Sequence, residues 1–305
     1  MSTAPIIIFA YNRPDHLTKT LQALSHNTLA GESVLYVYCD GAKDDASEVN
    51  RRRIEKVRLI AHSAEGFKEV HVIERDRNYG LASNIVDAVT QVVNKYGRVI
   101  TLEDDVVTSP GFLRYMNEAL DVYQDEEKVM HVSGYMYPHK GHLPETFFFP
   151  VPYPGGGWAT WARAWKYYDD DTKAVYDQWK DHWDVFDVLG GDYLSKQLIA
   201  NYNGTLRTWF VKWHAAMMSR GAQTLYPHQS LTNNIGFDNQ ATNCTTTTKF
   251  DVEELADSVR VERIPVRINR KASRLIFDFY QGHWYNKRRR KALVQKIART
   301  LVFWK

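Results

Sequence analysis

Four times in its first 126 residues the chain repeats one pattern. A short segment rich in apolar and β-branched residues is followed by a stretch in which apolar residues return every three or four positions. The short segments are "APIIIFA" (4–10), "SVLYVYCD" (33–40), "KEVHVIERD" (68–76) and "GRVITLEDD" (97–105), each predicting a strand. The spacing of Leu17, Leu21 and Leu24 predicts a helix within "RPDHLTKTLQALSHN", opened by Pro14 and Asp15. "ASEVNRRRIEKVRLIAH" predicts a second, with Val49, Ile54, Val57 and Ile60 inward. "GLASNIVDAVTQVVNKY" predicts a third through Leu81, Ile85, Ala88 and Val92, and "SPGFLRYMNEALDVYQDE" a fourth, with Ser109 as N-cap before Pro110.

Strand–helix alternation of this kind predicts a parallel sheet covered by helices on both faces. Right-handed crossovers then bring every strand's C-terminal end to one rim, where open α/β sheets bind ligands. Four polar groups converge there: Ala10-Tyr11-Asn12-Arg13, Cys39-Asp40-Gly41, Arg75-Asp76-Arg77-Asn78 and Glu103-Asp104-Asp105. One polar strand end is only a loop; four on one rim predict a binding site. The second half is less regular. Its aromatics, prolines and glycines in 131–171 give no clear period, with helical stretches expected near 158–167, 192–202 and 207–221, and a short strand then loop in 222–243.

The most informative end is the fourth. The apolar run Val99-Ile100-Thr101-Leu102 stops in three adjacent carboxylic acids. Buried and unpaired, they would repel one another and cost stability. Exposure resolves this, and so does a divalent cation: hard oxygen donors suit Mg²⁺ or Mn²⁺, which use one or two carboxylates plus substrate phosphates. Side chains alternate along a strand, and Asp105, where strand gives way to loop, is best placed to reach the metal. Glu103 and Asp104 fall to sugar hydroxyls or to bracing the loop. No Gly-x-x-x-x-Gly-Lys-Ser/Thr loop is present, and "PGGGWATW" is not a dinucleotide fingerprint, so P-loop NTPase and nicotinamide chemistry are excluded.

Composition adds little beyond this. Aromatic residues make up 13% of 305 residues, enough for sugar-stacking surfaces or simply an aromatic core. Charge changes the picture more. Residues 287–305 hold eight Lys/Arg and no acid, so the rest of the chain carries the total of +3 less those eight, a net −5. That argues against a nucleic-acid-binding face on the main body. Two cysteines, Cys39 and Cys244, form no disulfide framework and suit a reducing compartment. No signal peptide or membrane span is read, so a cytoplasmic protein is expected, and the sequons at Asn203 and Asn243 carry no meaning there.

"FAYNRPDHL", "YCDGA", "RNYGLASN" and "LEDD", in this order after four successive strands, resemble a GT-A-type nucleotide-sugar glycosyltransferase. The style is that of N-acetylglucosaminyltransferase I and its bacterial relatives. The resemblance covers roughly residues 5–135 and continues more loosely through "GGGWATWARAW" and "TLYPHQSLTNNIGFD". It implies a nucleotide-sugar-binding half (1–135), an acceptor-side half of the same domain (136–265) and a C-terminal extension (266–305). The donor it implies is a nucleotide-diphosphate sugar, usually of uridine. Ala10, Asn12 and Arg13 would line the nucleotide pocket, with Arg13 near the diphosphate. Asp40 would accept a hydrogen bond from the base, and Arg77, Asn78, Gly80 and Asn84 would hold the ribose-diphosphate region. Glu103 and Asp104 would touch donor sugar or ribose, Asp105 would hold Mn²⁺ or Mg²⁺ in a DXD-type motif, and Gly157 and Trp158 would wall the donor sugar.

Inverting members of that family need a carboxylate base in the second half. "LRTWFVKWH", where an acid is expected, has none. Asp192 and Asp238 are the substitutes, with His214 a third candidate, and Trp209 and Trp213 are spaced to stack on an acceptor sugar or to pack in the core. The tail "NKRRRKALVQKIARTLVFWK" (286–305) reads as a basic amphipathic helix for an anionic membrane surface, which suits a glycan or lipid-linked acceptor. Two rivals stay open. One is an inert relative that binds nucleotide sugar or glycan. The other is a sugar-phosphate nucleotidyltransferase, for which "FAYNRPDHL" lacks the expected glycine-rich loop.

Overall fold

The structure, a computed structural model, describes residues 3–238 and 247–281. The four predicted strands form as β1 (Ile6–Ala10), β2 (Val34–Cys39), β3 (Glu69–Glu74) and β4 (Arg98–Glu103). Between them run α1 (Pro14–Ser25), α2 (Glu48–His62) and α3 (Leu81–Tyr96). A three-residue strand β5 (Val106–Thr108) then precedes α4 (Phe112–Val122). The second half adds β6 (Val129–Ser133), β7 (Thr146–Phe149) and β8 (Trp158–Trp161), then α5 (Ala162–Trp165), α6 (Thr172–Trp179), α7 (Trp183–Phe186), α8 (Tyr193–Tyr202) and α9 (Phe210–Ser219). β9 (Gln223–Pro227), β10 (Thr232–Asn234) and α10 (Arg270–Gln281) complete it.

The fold is α/β, as expected, with one mostly parallel sheet in the order β3-β2-β1-β4-β8-β6-β9-β7. β1 pairs in parallel with both β2 and β4, and β2 with β3. β8 enters antiparallel between β4 and β6, β6 and β9 are parallel, and β7 closes the far edge antiparallel to β9. The sheet therefore runs unbroken through both halves of the chain. β10 and β5 form a separate two-stranded ribbon.

Period-two alternation divides the core. Ile6, Ile8 and Ala10 pack into one cluster with Leu17, Leu21 and Leu24 of α1 and with α4; Ile7 and Phe9 pack into the other with Ile85, Ala88 and Val92 of α3. Every residue of β1 is buried, as the central strand of a sheet covered on both faces must be.

Three local expectations are corrected. In α2 the inward stripe is Ile54, Val57 and Ala61, while Val49 is 64% exposed. The helix starts at Glu48, capped by the Ser47 hydroxyl, so Val49 lies in the first turn before the helix meets the sheet. α4 starts three residues after Ser109, with Gly111 at the cap position, and Ser109 spends its backbone instead, donating to the Leu231 carbonyl. Residues 158–161 are strand rather than helix, because β8 pairs with β4 on one side and β6 on the other. Residues 210–218 of α9 are all buried, so this stretch presents no face to solvent. Residues 286–305, where the amphipathic tail is expected, lie outside the described residues, as does Cys244. Among the described residues no helix is long and apolar enough to cross a membrane.

Candidate functional site

The strand order marks a place before any side chain is considered. From β1 the sheet extends to β2 and β3 on one side; the chain then returns and lays β4 on the other. Such a reversal opens a crevice at the carboxyl ends of the two central strands, where ligands of α/β sheets bind. Phe9 of β1 pairs with Glu103 of β4, so Arg13 and the three acids leave the sheet side by side.

Arg13 joins the two ends. Its Nη2 donates to Asp104 Oδ1 at 2.7 Å and to Asp105 Oδ2 at 2.8 Å. Tyr11 N reaches Asp104 Oδ2 at 3.4 Å, and the Thr20 hydroxyl donates to the Asp104 carbonyl at 2.8 Å. Asp104 and Asp105 are 3% and 5% exposed. Burial and then the neighbouring carboxylates push Glu103 far above the carboxylate range, against the pull of Arg13. Burial also raises Asp104, with Arg13 opposing and Asp105 adding to it. Burial works against the charge of Arg13, yet Asp104 and Asp105 hold its proton more tightly than usual. Three carboxyl groups thus face one guanidinium in a place where unpaired charge is costly.

A segment from the other end of the chain meets this cluster. β10 pairs with β5 and sets Asn234 opposite Val106. Asn234 Nδ2 donates to Asp105 Oδ1 at 3.3 Å and to the Gly155 carbonyl at 2.8 Å. Ile235 N donates to the Asp105 carbonyl at 2.8 Å. Gly236 packs directly on the carboxylate, where a Cβ would stand 1.8 Å from Asp105 Oδ2. Asp238, two residues on, sits 3.1 Å from Nε2 of the buried His16 at the head of α1.

The loop after β3 is built around Asp40. Its Oδ1 accepts from Gly41 N at 2.9 Å and Tyr79 N at 2.8 Å; its Oδ2 accepts from Gly80 N at 2.9 Å and Asn78 Nδ2 at 3.1 Å. A carboxylate has about four acceptor sites, and protein donors fill them all. Asp40, expected to accept from a nucleobase, here gathers the N–H groups that Gly80, at φ +74°, turns toward it. Asn84 is likewise engaged, accepting from Arg75 Nε at 2.8 Å, and Arg75 also binds Asp87. Arg77 is exposed, with its guanidinium 5.6 Å from the Tyr79 ring centroid. Asn12 Nδ2 binds Asn50 Oδ1 of α2 at 2.7 Å, and the Ala10 carbonyl accepts from Asp40 N at 2.9 Å.

The glycine run 155–157 is tied down rather than loose: Gly155, Gly156 and Gly157 carbonyls accept from Asn234, Thr232 and Gly134. Trp158, expected to wall the donor sugar, packs in the aromatic core. It is 3% exposed, stacked 5.2 Å from His131 and 4.9 Å from Trp209, because β8 turns it into the core. Trp209 and Trp213 belong to the same core, Trp213 lying 5.0 Å from Trp165. His214 is buried, with Nε2 3.1 Å from the Phe186 carbonyl. Asp192 stands at the head of α8 with its side chain 64% exposed and bound to Lys196 at 2.8 Å. Asp187 does the capping of that helix, accepting from Leu194 N and Ser195 N at 3.0 Å each. Of the two acids expected as base, only Asp238 lies on the segment that reaches the cluster.

The GNT-I family model matches residues 1–184, more than half of the chain. The chain belongs to the GNT-I family. This agrees with the resemblance carried by its four strand ends. An Arabidopsis thaliana alpha-1,3-mannosyl-glycoprotein 2-beta-N-acetylglucosaminyltransferase is 26% identical over 191 residues, which cover 59% of this chain and 42% of that protein. The chain therefore matches less than half the length of this relative. Among solved structures, apo mouse xyloside xylosyltransferase 1 is similar at a TM-score of 0.39 and 11% identity, over 71% of this chain and 81% of that one. The galactosyltransferase LgtC with donor and acceptor sugar analogs is similar at 0.34 and 12%, over 58% and 65%.

In this GNT-I family member, Thr20, Asn234, Gly236 and His16 join the site without having been foreseen. Asn234 and Gly236 lie in a polar stretch that the sequence marks as loop, but their approach to Asp105 depends on a ribbon linking residues 106–108 to 232–234. Among the described residues no three acids, histidines or cysteines are arranged to hold a metal by themselves. The donor set still fits a hard cation: buried carboxylate oxygens in excess over their one guanidinium, with the remaining ligands left to phosphates and water.

Proposed function

We propose that the protein transfers a sugar from a nucleotide-diphosphate donor, a UDP-sugar, to a glycan or lipid-linked acceptor, with inversion and with Mn²⁺ or Mg²⁺. The observation that carries the reading is the cluster of buried Asp104 and Asp105, with half-buried Glu103 next to them, beside Arg13 at the reversal of strand order. Membership of the GNT-I family supports it.

Asp105 would hold the cation, which when bound would neutralise charge on the departing diphosphate, and Asp104, tied to Arg13 and Tyr11, would touch the donor or brace the loop. Arg13 would orient the diphosphate and offset its charge from the β1 side. Asp40 would hold residues 78–80 as one wall of the nucleotide crevice. Glu103 would touch a hydroxyl of the donor sugar or ribose. For the base, Asp238 would take the acceptor proton, since its segment reaches the cluster and Asp192 is bound to Lys196 in solvent.

The test is nucleotide release from a panel of nucleotide sugars with Mn²⁺. UDP-sugars should be bound and turned over, and Asp105→Ala should abolish both. No binding of any UDP-sugar, or an unaltered Asp105→Ala variant, would sink the reading. A second reading, a relative that binds donor without transfer, is favoured by the acid-free and wholly buried α9. Binding without turnover across a broad acceptor panel would establish it. Residues 286–305 would bind the anionic face of a membrane; liposome co-sedimentation should fall to background when they are deleted, and unchanged sedimentation would refute this.

A further inference from the structure

Both ends of the Asn234 side-chain amide are hydrogen-bonded. Oδ1 accepts from Gly236 N at 2.8 Å, and Nδ2 donates to the Gly155 carbonyl at 2.8 Å and to Asp105 Oδ1 at 3.3 Å. These partners fix the amide's orientation, since a flipped amide would set its NH₂ against the Gly236 N–H. Asn234 is itself buried. The backbone on either side is pinned as well: the Thr232 hydroxyl donates to the Gly156 carbonyl at 2.6 Å, and Ile235 N to the Asp105 carbonyl at 2.8 Å. Beyond Gly236, Asp238 is bound to His16 at 3.1 Å.

Asp105 is thereby gripped from two sides. Asn234 holds Oδ1, Arg13 holds Oδ2, and Gly236 leaves no room for the carboxylate to swing toward the strap formed by residues 234–238. We infer that Asn234 is a positioning residue that sets the rotation of the Asp105 carboxylate. It couples that carboxylate to the glycine run 155–157. The inference rests on the reading of Asp105 as the cation's ligand. The ligand's partner comes from a strand more than a hundred residues away, so the second half of the chain completes a metal site whose acids all belong to the first.

Groups that orient metal ligands typically change affinity 10–100-fold when removed. Mn²⁺ binding to the protein with saturating UDP, which supplies the phosphate ligands, followed by electron paramagnetic resonance, reads this without turnover. Asn234→Ala should weaken Mn²⁺ binding about tenfold or more. The Mn²⁺ concentration for half-maximal donor hydrolysis should rise with it, while KM for the donor at saturating Mn²⁺ changes little. A merely structural role would instead lower the active fraction without moving the metal dependence. Should Asn234→Ala lose its thermal transition, Asn234→Ser, which keeps a short donor, goes through the same measurements and should show an intermediate loss. Unchanged Mn²⁺ affinity in either folded variant, with Asp105→Ala abolishing it, overturns the inference and leaves the metal reading standing. A wild-type protein showing no Asp105-dependent Mn²⁺ binding overturns the metal reading, and the inference with it.

Discussion

Gly236 touches the Asp105 carboxylate so closely that a Cβ at position 236 would stand 1.8 Å from Oδ2 and 2.8 Å from Nη1 of Arg13. The two residues are brought together by the ribbon of β5 and β10, and the carboxylate is not free to retreat: Asp105 is held by Arg13 and Asn234. Gly236→Ala should therefore displace the carboxylate or lift the strap. Overpacking of this kind costs about 1–3 kcal/mol, and Mn²⁺-dependent nucleotide release should fall at least about tenfold, as expected when a metal ligand is misplaced. Thermal unfolding and a Mn²⁺ titration check both. Wild-type values in the two would mean that the segment gives way without cost and does not constrain the site.

Asp40 makes a contrasting prediction. Its four accepted bonds organise residues 78–80. Asp40→Asn turns one acceptor oxygen into a donor facing the backbone N–H of Gly41 and Tyr79 or of Gly80. Leaving such a buried group unsatisfied costs about 1–3 kcal/mol, read as a lower urea midpoint with an unchanged slope. Nucleotide affinity should fall for uridine and guanosine diphosphates alike. Unaltered stability with a selective loss of uridine binding would instead return Asp40 to reading the base.

The parallel half of the fold was legible because its cause is local. Leu17, Leu21 and Leu24, and Ile85, Ala88 and Val92, repeat at the helical period and pack where that period directs them. The polar strand ends were legible for the same reason, as interruptions of apolar runs. What the sequence could not supply was pairing at long range. That β8 enters between β4 and β6, turning Trp158 into the core, depends on partners about 30 and 60 residues earlier in the chain. That Asn234 serves Asp105 depends on a three-residue ribbon. Nor does a carboxylate at a strand end announce which donors will fill it. Asp40 and Asn84 were read as ligand-facing and are occupied by the protein's own N–H groups, whereas Arg13 lies on the acids it follows in space.

Trp209 separates core packing from sugar stacking. Its ring lies 4.9 Å from that of Trp158 at an interplanar angle of 21°, and it is buried. Trp209→Ala should cost about 3–5 kcal/mol, as for other large core aromatics, measured by chemical unfolding. A variant of wild-type stability with a raised acceptor KM would place the ring at an acceptor site instead.

Two buried histidines give the stability a definite pH dependence. Burial lowers His131 to about 3 and His214 to about 4, from an ordinary 6.5. His131 Nδ1 accepts from Trp213 Nε1 at 3.2 Å, a bond that requires the unprotonated nitrogen. Below pH 6.5 the unfolded chain takes up protons that the folded chain refuses. Their contribution is therefore complete above 6.5 and is lost as the pH falls toward 4 and then 3. Each histidine should remove about 1.4 kcal/mol per pH unit in that range. Replacing one isolates its share: in His214→Leu the slope of unfolding free energy against pH, between about 6 and 4.5, should be shallower than wild type by that amount. An identical slope in variant and wild type would show that His214 protonates in the folded protein as readily as in the unfolded chain, and that α9 is open to water.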